Sequence, residues 1–140
     1  MILSCSILDT EIIFSIPLSE KVFIKDDEIL LKSLTVDLLK KYIWEREKNI
    51  LKDLTNDPSG LNLWNVNVDK VEDVFTDDDI VQKLRGKKME PHFLFSNYFS
   101  NQPPAGKIHI IISSRPATTS KCLLMVYLSK KDNFAILFSI

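Results

Sequence analysis

The stretch PPAGKIHIIISSRP, residues 103–116, sets four isoleucines into the five positions from Ile108 to Ile112. Alternation puts Ile108, Ile110 and Ile112 on one face and His109, Ile111 and Ser113 on the other. Prolines bracket the run, so it reads as the closing strand of a sheet. What that strand closes has to be read from the residues before it.

From Ile2 to Leu18 two apolar runs, ILSCSIL and EIIFSIPL, flank the polar pair Asp9-Thr10 at hairpin spacing. Pro17 confines the second strand to an edge, or marks its end. KVFI is a further strand-like piece, followed by the acidic turn KDDE and by EILLKS, where the chain can still be extended. At LTVDLLKKYIWEREKNILKDL the period changes. Val36, Leu39, Ile43, Ile50 and Leu54 fall near one face at helical spacing, while Lys40, Lys41, Arg46 and Lys48 mostly lie elsewhere. Thr35 suits the N-cap, Asp37 the positive end of the helix, and NDPSG the stop.

LNLWNVNV sets Leu61, Leu63, Asn65 and Asn67 against Asn62, Trp64, Val66 and Val68. That alternation marks a strand starting at Leu61 and leaves open which of its faces is buried. TDDDIVQKLRGKK predicts a short helix from Thr76, and EPHFLFSNYFSNQPP a compact turn with aromatic anchors. Hairpin, long helix, strand, short helical section and final strand is the order of the β-grasp fold. The predicted class is therefore α+β: a β-grasp with a mixed β-sheet and one main helix packed across it. Val36, Leu39 and Ile43 are expected to pack on Ile108, Ile110, Leu61 and Leu63. Strand parity then turns Trp64, His109 and Ile111 away from the helix into one exposed patch with the makeup of a protein-binding hot spot. The competing reading folds a loop or the C-terminal residues over that patch and makes it core.

At 140 residues the chain has room for one domain with a real core and an appendage. An apolar fraction of 45% with 26% charged residues is ordinary for a globular protein. Eighteen basic against 19 acidic residues give no bulk field toward nucleic acid or an anionic bilayer. No apolar run approaches the ~20 residues of a membrane-spanning helix. The opening run has no basic leader and is interrupted by Asp9 and Glu11, unlike a cleaved signal. Cys5 and Cys122 stand 117 positions apart, without the close spacing of zinc or redox sites.

Catalytic signals are equally sparse. His92 and His109 are the only histidines and neither has a second ligand at metal spacing. TDDDI lacks the alternating ligands and central glycine of a calcium loop and reads as a helix cap. Ser96 and His92 come with no nucleophile elbow, and three glycines in the whole chain provide no phosphate cradle. KLRGKK, a weak nuclear address, reads better as a solvated helix end. The residues point to no enzyme, no cofactor and no metal.

Several segments together carry a family resemblance. LTVDLLKKYI is similar to the helix start of ubiquitin-like domains. FSNYFSNQPPAGKIHIIISSR places Ser96, Asn97, Tyr98, Ile108, His109 and Ile110 where ubiquitin has its short turn and last strand. TVDLLKKYIW, LNLWNVNV and YFSNQPPAGKIHIIISSRP, in that order, resemble the N-terminal region of Crinkler effectors in the form found in symbiotic and pathogenic fungi. That region carries an L-x-L-F-L-A-K type motif and ends on an H-V-L-V-x-x-P type motif. Leu61, Leu63 and Trp64 stand in the first; His109, Ile110, Ile111 and Pro116 stand in the second. Val66 and Asn67 occupy the Ala-Lys places.

The resemblance implies a targeting and protein-interaction module of a secreted effector that acts inside host cells, often in the nucleus, on a host protein. The alternative is a header that self-associates, as a homodimer, with no host role. A conjugated modifier ends in a flexible diglycine, whereas Ser113-Ser114-Arg115-Pro116 runs on into the apolar runs CLLMVYL and NFAILFSI. The expected organisation is a domain over residues 1–116 and an extension over 117–140. Those last 24 residues are too few for a C-terminal effector domain. They add a β-hairpin to the domain or to a partner subunit, or they are a tail of accidental origin.

Overall fold

A computed structural model of the chain describes residues 1–114. Pro116 and the runs CLLMVYL and NFAILFSI lie outside the described residues. The two N-terminal apolar runs form β1 (Ile2–Ile7) and β2 (Ile13–Pro17), antiparallel, with Cys5 opposite Phe14. Asp9 takes φ 60° in their turn, and the Thr10 hydroxyl donates to the Ile7 carbonyl at 2.8 Å. A second hairpin, β3 (Lys21–Ile24) with β4 (Asp27–Leu30), stands apart as its own two-stranded sheet.

Helix α1 (Val36–Arg46) starts where its cap predicts: the Thr35 hydroxyl accepts the Leu38 N–H at 3.3 Å. It does not run to Leu54. Glu47, at φ −119° and ψ 31°, breaks it, and a single turn, α2 (Lys48–Leu51), follows. The break leaves Leu51 fully buried, with Ile50 and Leu54 at the margin of the core. Asp57 caps the turn Pro58–Gly60, and the chain enters β5 (Leu61–Val68). Thr76 opens α3 (Asp77–Leu84) with a capping box, its hydroxyl accepting from the Asp79 N–H and the Asp79 carboxylate accepting from the Thr76 N–H. A two-residue strand, β6 (Lys87–Lys88), and the aromatic turn Phe95–Asn97 lead to β7 (Ile108–Ser114).

The main sheet has the order β2-β1-β7-β5-β6. Strand β7 lies at its centre, parallel to β1 (Cys5 beside Ile110) and antiparallel to β5 (Leu63 beside Ile112). A central parallel pair between two antiparallel ones, with α1 packed on one face, is the β-grasp arrangement that the element order predicts.

On the α1 side Val36, Leu39 and Ile43 meet Leu3, Leu61, Leu63, Ile110 and Ile112 in one buried cluster. Two expectations fail there. Lys40, one of the cations expected mostly off the apolar face, is buried, as the four-carbon stem of a lysine allows. Ile108, expected beside Ile110, belongs instead to a cluster on the opposite face with Trp64 and Ile111. The change falls at a register shift, where β5 advances from Asn65 to Val68 while β7 moves only from Ile110 to Ile108, and Ile108 pairs with Val68, which packs on that same opposite face. The extra residue bends the pair and strict alternation is lost.

Cys5 faces the α1 cluster as a buried free thiol, and desolvation, aided by the charge of Glu47, pushes its pKa from 9.0 up to about 12. Because the folded state holds the proton more tightly, the thiol's contribution to stability is intact below pH 9 and is lost as pH rises from about 9 to about 12. Between those values the wild type should lose more stability than Cys5→Ala, as read by urea unfolding at pH 8 and pH 11. Leu39→Ala, at the centre of the α1 contact, should cost about 2–5 kcal/mol, and an unchanged unfolding midpoint would contradict this core.

Candidate interaction surface

The expected patch of Trp64, His109 and Ile111 does not form: these residues are 7%, 3% and 0% exposed. The outer face of β5 and β7 presents Trp64, Val66, Ile108 and Ile111, which is too much apolar surface to leave in water. The segment after β5 comes back across it. Val74 and Ile80 bury against those four residues, and Val71 and Leu84 pack at the edges. Gly86 lets α3 lie this close, since a Cβ there would stand 2.5 Å from Ile80 Cγ2 and 3.0 Å from Val66 Cγ1. The Trp64 indole N–H, buried with the rest, donates to the Ser113 hydroxyl at 3.1 Å.

His109 has a different task. Pairing of β1 with β7 begins only at Cys5 and Ile110, so the Ser4 N–H finds no β7 carbonyl. It donates instead to His109 Nδ1 at 3.0 Å, which leaves the ring proton on Nε2, facing the Pro104 carbonyl at 2.7 Å. One step further out, Gln102 does the same for Ile2. Its Oε1 accepts the Ile2 N–H at 2.9 Å and its Nε2 donates to the Ile2 carbonyl at 3.0 Å. These two side chains extend the β1–β7 ladder beyond the backbone. The sequence reading missed Gln102, whose role depends on where the strands diverge.

What stays open is the β1–β2 half of the outer face, where Ile2 and Ile13 are exposed beside Ser4 and Ser15. The free edge of β2 is less accessible than it looks. Leu18 and Met1 exchange both backbone hydrogen bonds, at 2.6 and 2.7 Å, and antiparallel alternation then points the backbone groups of Ile13, Ser15 and Pro17 outward. Pro17 has no N–H, and its carbonyl is taken by the Tyr42 hydroxyl at 2.6 Å. At the other edge β6 offers only Lys87 and Lys88. Short, proline-ended and lysine-bearing edges resist strand addition.

Beyond the end of β2, a groove of about 400 Å³ runs between β3 and the start of β1. Phe23, Tyr42, Met1 and Ile2 line it together with Lys21 and Arg46, and no carboxylate does. Arg46 lies 5.6 Å from the Tyr42 ring centroid, in cation–π contact. Lys21 reaches Glu28 at 3.6 Å.

Chemistry of other kinds has little footing among the described residues. No group of three or more His, Cys, Asp or Glu is placed to hold a metal ion, and no helix is long and apolar enough to cross a membrane. His92 is exposed and sits edge-on to Phe93 at 5.8 Å.

Burial predicts how the motif residues respond to substitution. Trp64→Ala should cost about 3–5 kcal/mol by opening a cavity under α3. His109→Ala should cost about 1–3 kcal/mol by orphaning the Ser4 N–H. Ile13→Ser, on the open strip, should stay within about 0.5 kcal/mol of wild type. Chemical unfolding of the three variants checks the order, and a Trp64→Ala protein as stable as wild type would overturn the covered-face assignment.

No curated protein and no solved structure matches the chain. The family model of the Crinkler effector protein N-terminal domain matches residues 1–113, through β1, the α1 core, the Leu61–Trp64 strand and all but the last residue of β7. The chain therefore belongs to the Crinkler effector N-terminal domain family.

Proposed function

We propose that residues 1–116 form a non-catalytic, ubiquitin-like targeting and protein-interaction header of a secreted effector that enters host cells, reaches the nucleus there and binds a host protein, with residues 117–140 as an extension to it. The observation that carries this reading is the family match over residues 1–113. The surface is compatible with it. With Trp64, His109 and Ile111 covered, the open strip of Ile2 and Ile13 is the apolar part of the outer sheet face available to a host protein. Serines at positions 4 and 15 between them keep the strip soluble in the free domain.

Tagged full-length protein made by its source cell should be found outside that cell and within host cells, in the nucleus. Confinement to the producing cell's cytoplasm would sink the proposal. In a host extract, Ile2→Ser with Ile13→Ser should lose the partner that wild type retains, while circular dichroism stays unchanged.

A further inference from the structure

We infer that the chain associates head to tail with copies of itself, the acidic knob around Phe75 of one copy seated in the Phe23–Tyr42–Arg46 groove of the next. This goes beyond the host-directed reading and does not depend on it.

Each half is built on the same molecule. Phe75 is 58% exposed, an unusual place for a phenylalanine, and it sits in the run EDVFTDDD, residues 72–79. The capping box holds it there: the Asp79 carboxylate accepts the Phe75 N–H at 2.9 Å and the Thr76 N–H at 3.2 Å. Lys83 Nζ fixes the turn before it through the Asp73 carbonyl at 2.7 Å. Asp77 and Asp78, directly beyond, join no ion pair among the described residues. The knob is thus a preorganised aromatic ring with two uncommitted carboxylates, and a fixed loop loses little entropy on docking.

The groove is its complement. Phe23, also 58% exposed, and Tyr42 supply an aromatic wall, and Arg46 brings a guanidinium that pairs with no carboxylate among the described residues. Lys21 adds a second cation, shared with Glu28. A ring lying against Phe23 would bring neighbouring carboxylates toward Arg46, joining apolar contact to charge-assisted hydrogen bonds.

A single copy cannot satisfy itself. Met1 and Ile2 line the groove at one end of β1, whereas Leu8 and Asp9, past the other end, line a cleft with Thr76, Asp77 and Asp78. The six residues of β1 keep the two about 20 Å apart. Two different patches in contact make a heterologous interface, which propagates as an open chain or closes as a ring, rather than stopping at a two-fold dimer.

That property gives the test. Full-length wild type should show, by sedimentation velocity, a mass that climbs past the dimer with concentration and falls with added salt. Arg46→Glu alone, and Phe75→Ser with Asp77→Lys alone, should each weaken association at least about tenfold, with circular dichroism unchanged. Mixed in equal amounts, the two variants retain one intact groove and one intact knob, so they should form a 1:1 complex that grows no further. Arg46→Gln serves as a second groove variant if Arg46→Glu disturbs the fold. A monomeric wild type at millimolar concentration, a dimer that both variants preserve, or a mixture that stays monomeric would each overturn the proposal.

Discussion

Strand β7 is apolar on both faces, and most of the architecture follows from having to cover both. Four isoleucines in succession, broken only by His109, leave no side of the strand that water can solvate. One cover is α1, brought over Ile110 and Ile112 by the stripe Val36, Leu39 and Ile43. The other is the segment from Val71 to Leu84, drawn over Ile108 and Ile111. A ubiquitin-like sheet with a single helix would bury only the first face. Here the second needs its own layer, and α3, capped by Thr76 and ended by Arg85 in the left-handed conformation, supplies it.

The central strand also has to be anchored before its backbone pairing begins. The loop carrying Gln102 and Pro104 runs beside the start of β1 without forming a strand, and an unpaired N–H at Ile2 or Ser4 would weaken the sheet just where the groove begins. Gln102 and His109 take those groups side chain to backbone. Retaining a histidine at the start of an isoleucine strand thus has a structural reason: a ring with one acceptor and one donor nitrogen joins β1 to the Pro104 carbonyl in a single step.

Local signals in the sequence accounted for most of the fold. Thr35, the Asp9-Thr10 turn and Thr76 each act within a few residues, and the elements beside them start where those signals lie. The outer face was misread because parity tells which side of a strand a residue faces, not whether a later segment returns to that side. Val71, Val74, Ile80 and Leu84 carried that information as an apolar set near a short helix, and without a sheet position for α3 their target could not be identified. Ile108 failed for a related reason, since a register shift between two strands belongs to the pair rather than to either sequence. Lys40 and the break at Glu47 depend likewise on packing around α1.

Covering Trp64 and Ile111 moves the sites available for recognition to the margins of the sheet. Pro17 and Tyr42 blunt one edge, lysines the other, so a partner has little exposed ladder to extend and must engage side chains. Besides the open strip of Ile2 and Ile13, exposed side chains of two kinds stand at two ends: aromatic and cationic between β3 and β1, aromatic and anionic before α3. Both ends are held by ordinary folding devices, a hairpin at one and a capping box at the other. The same local rules that complete the fold therefore also shape its exposed margins, and the apolar centre, covered on one face by α1 and on the other by the Val71–Leu84 segment, holds those margins a fixed distance apart.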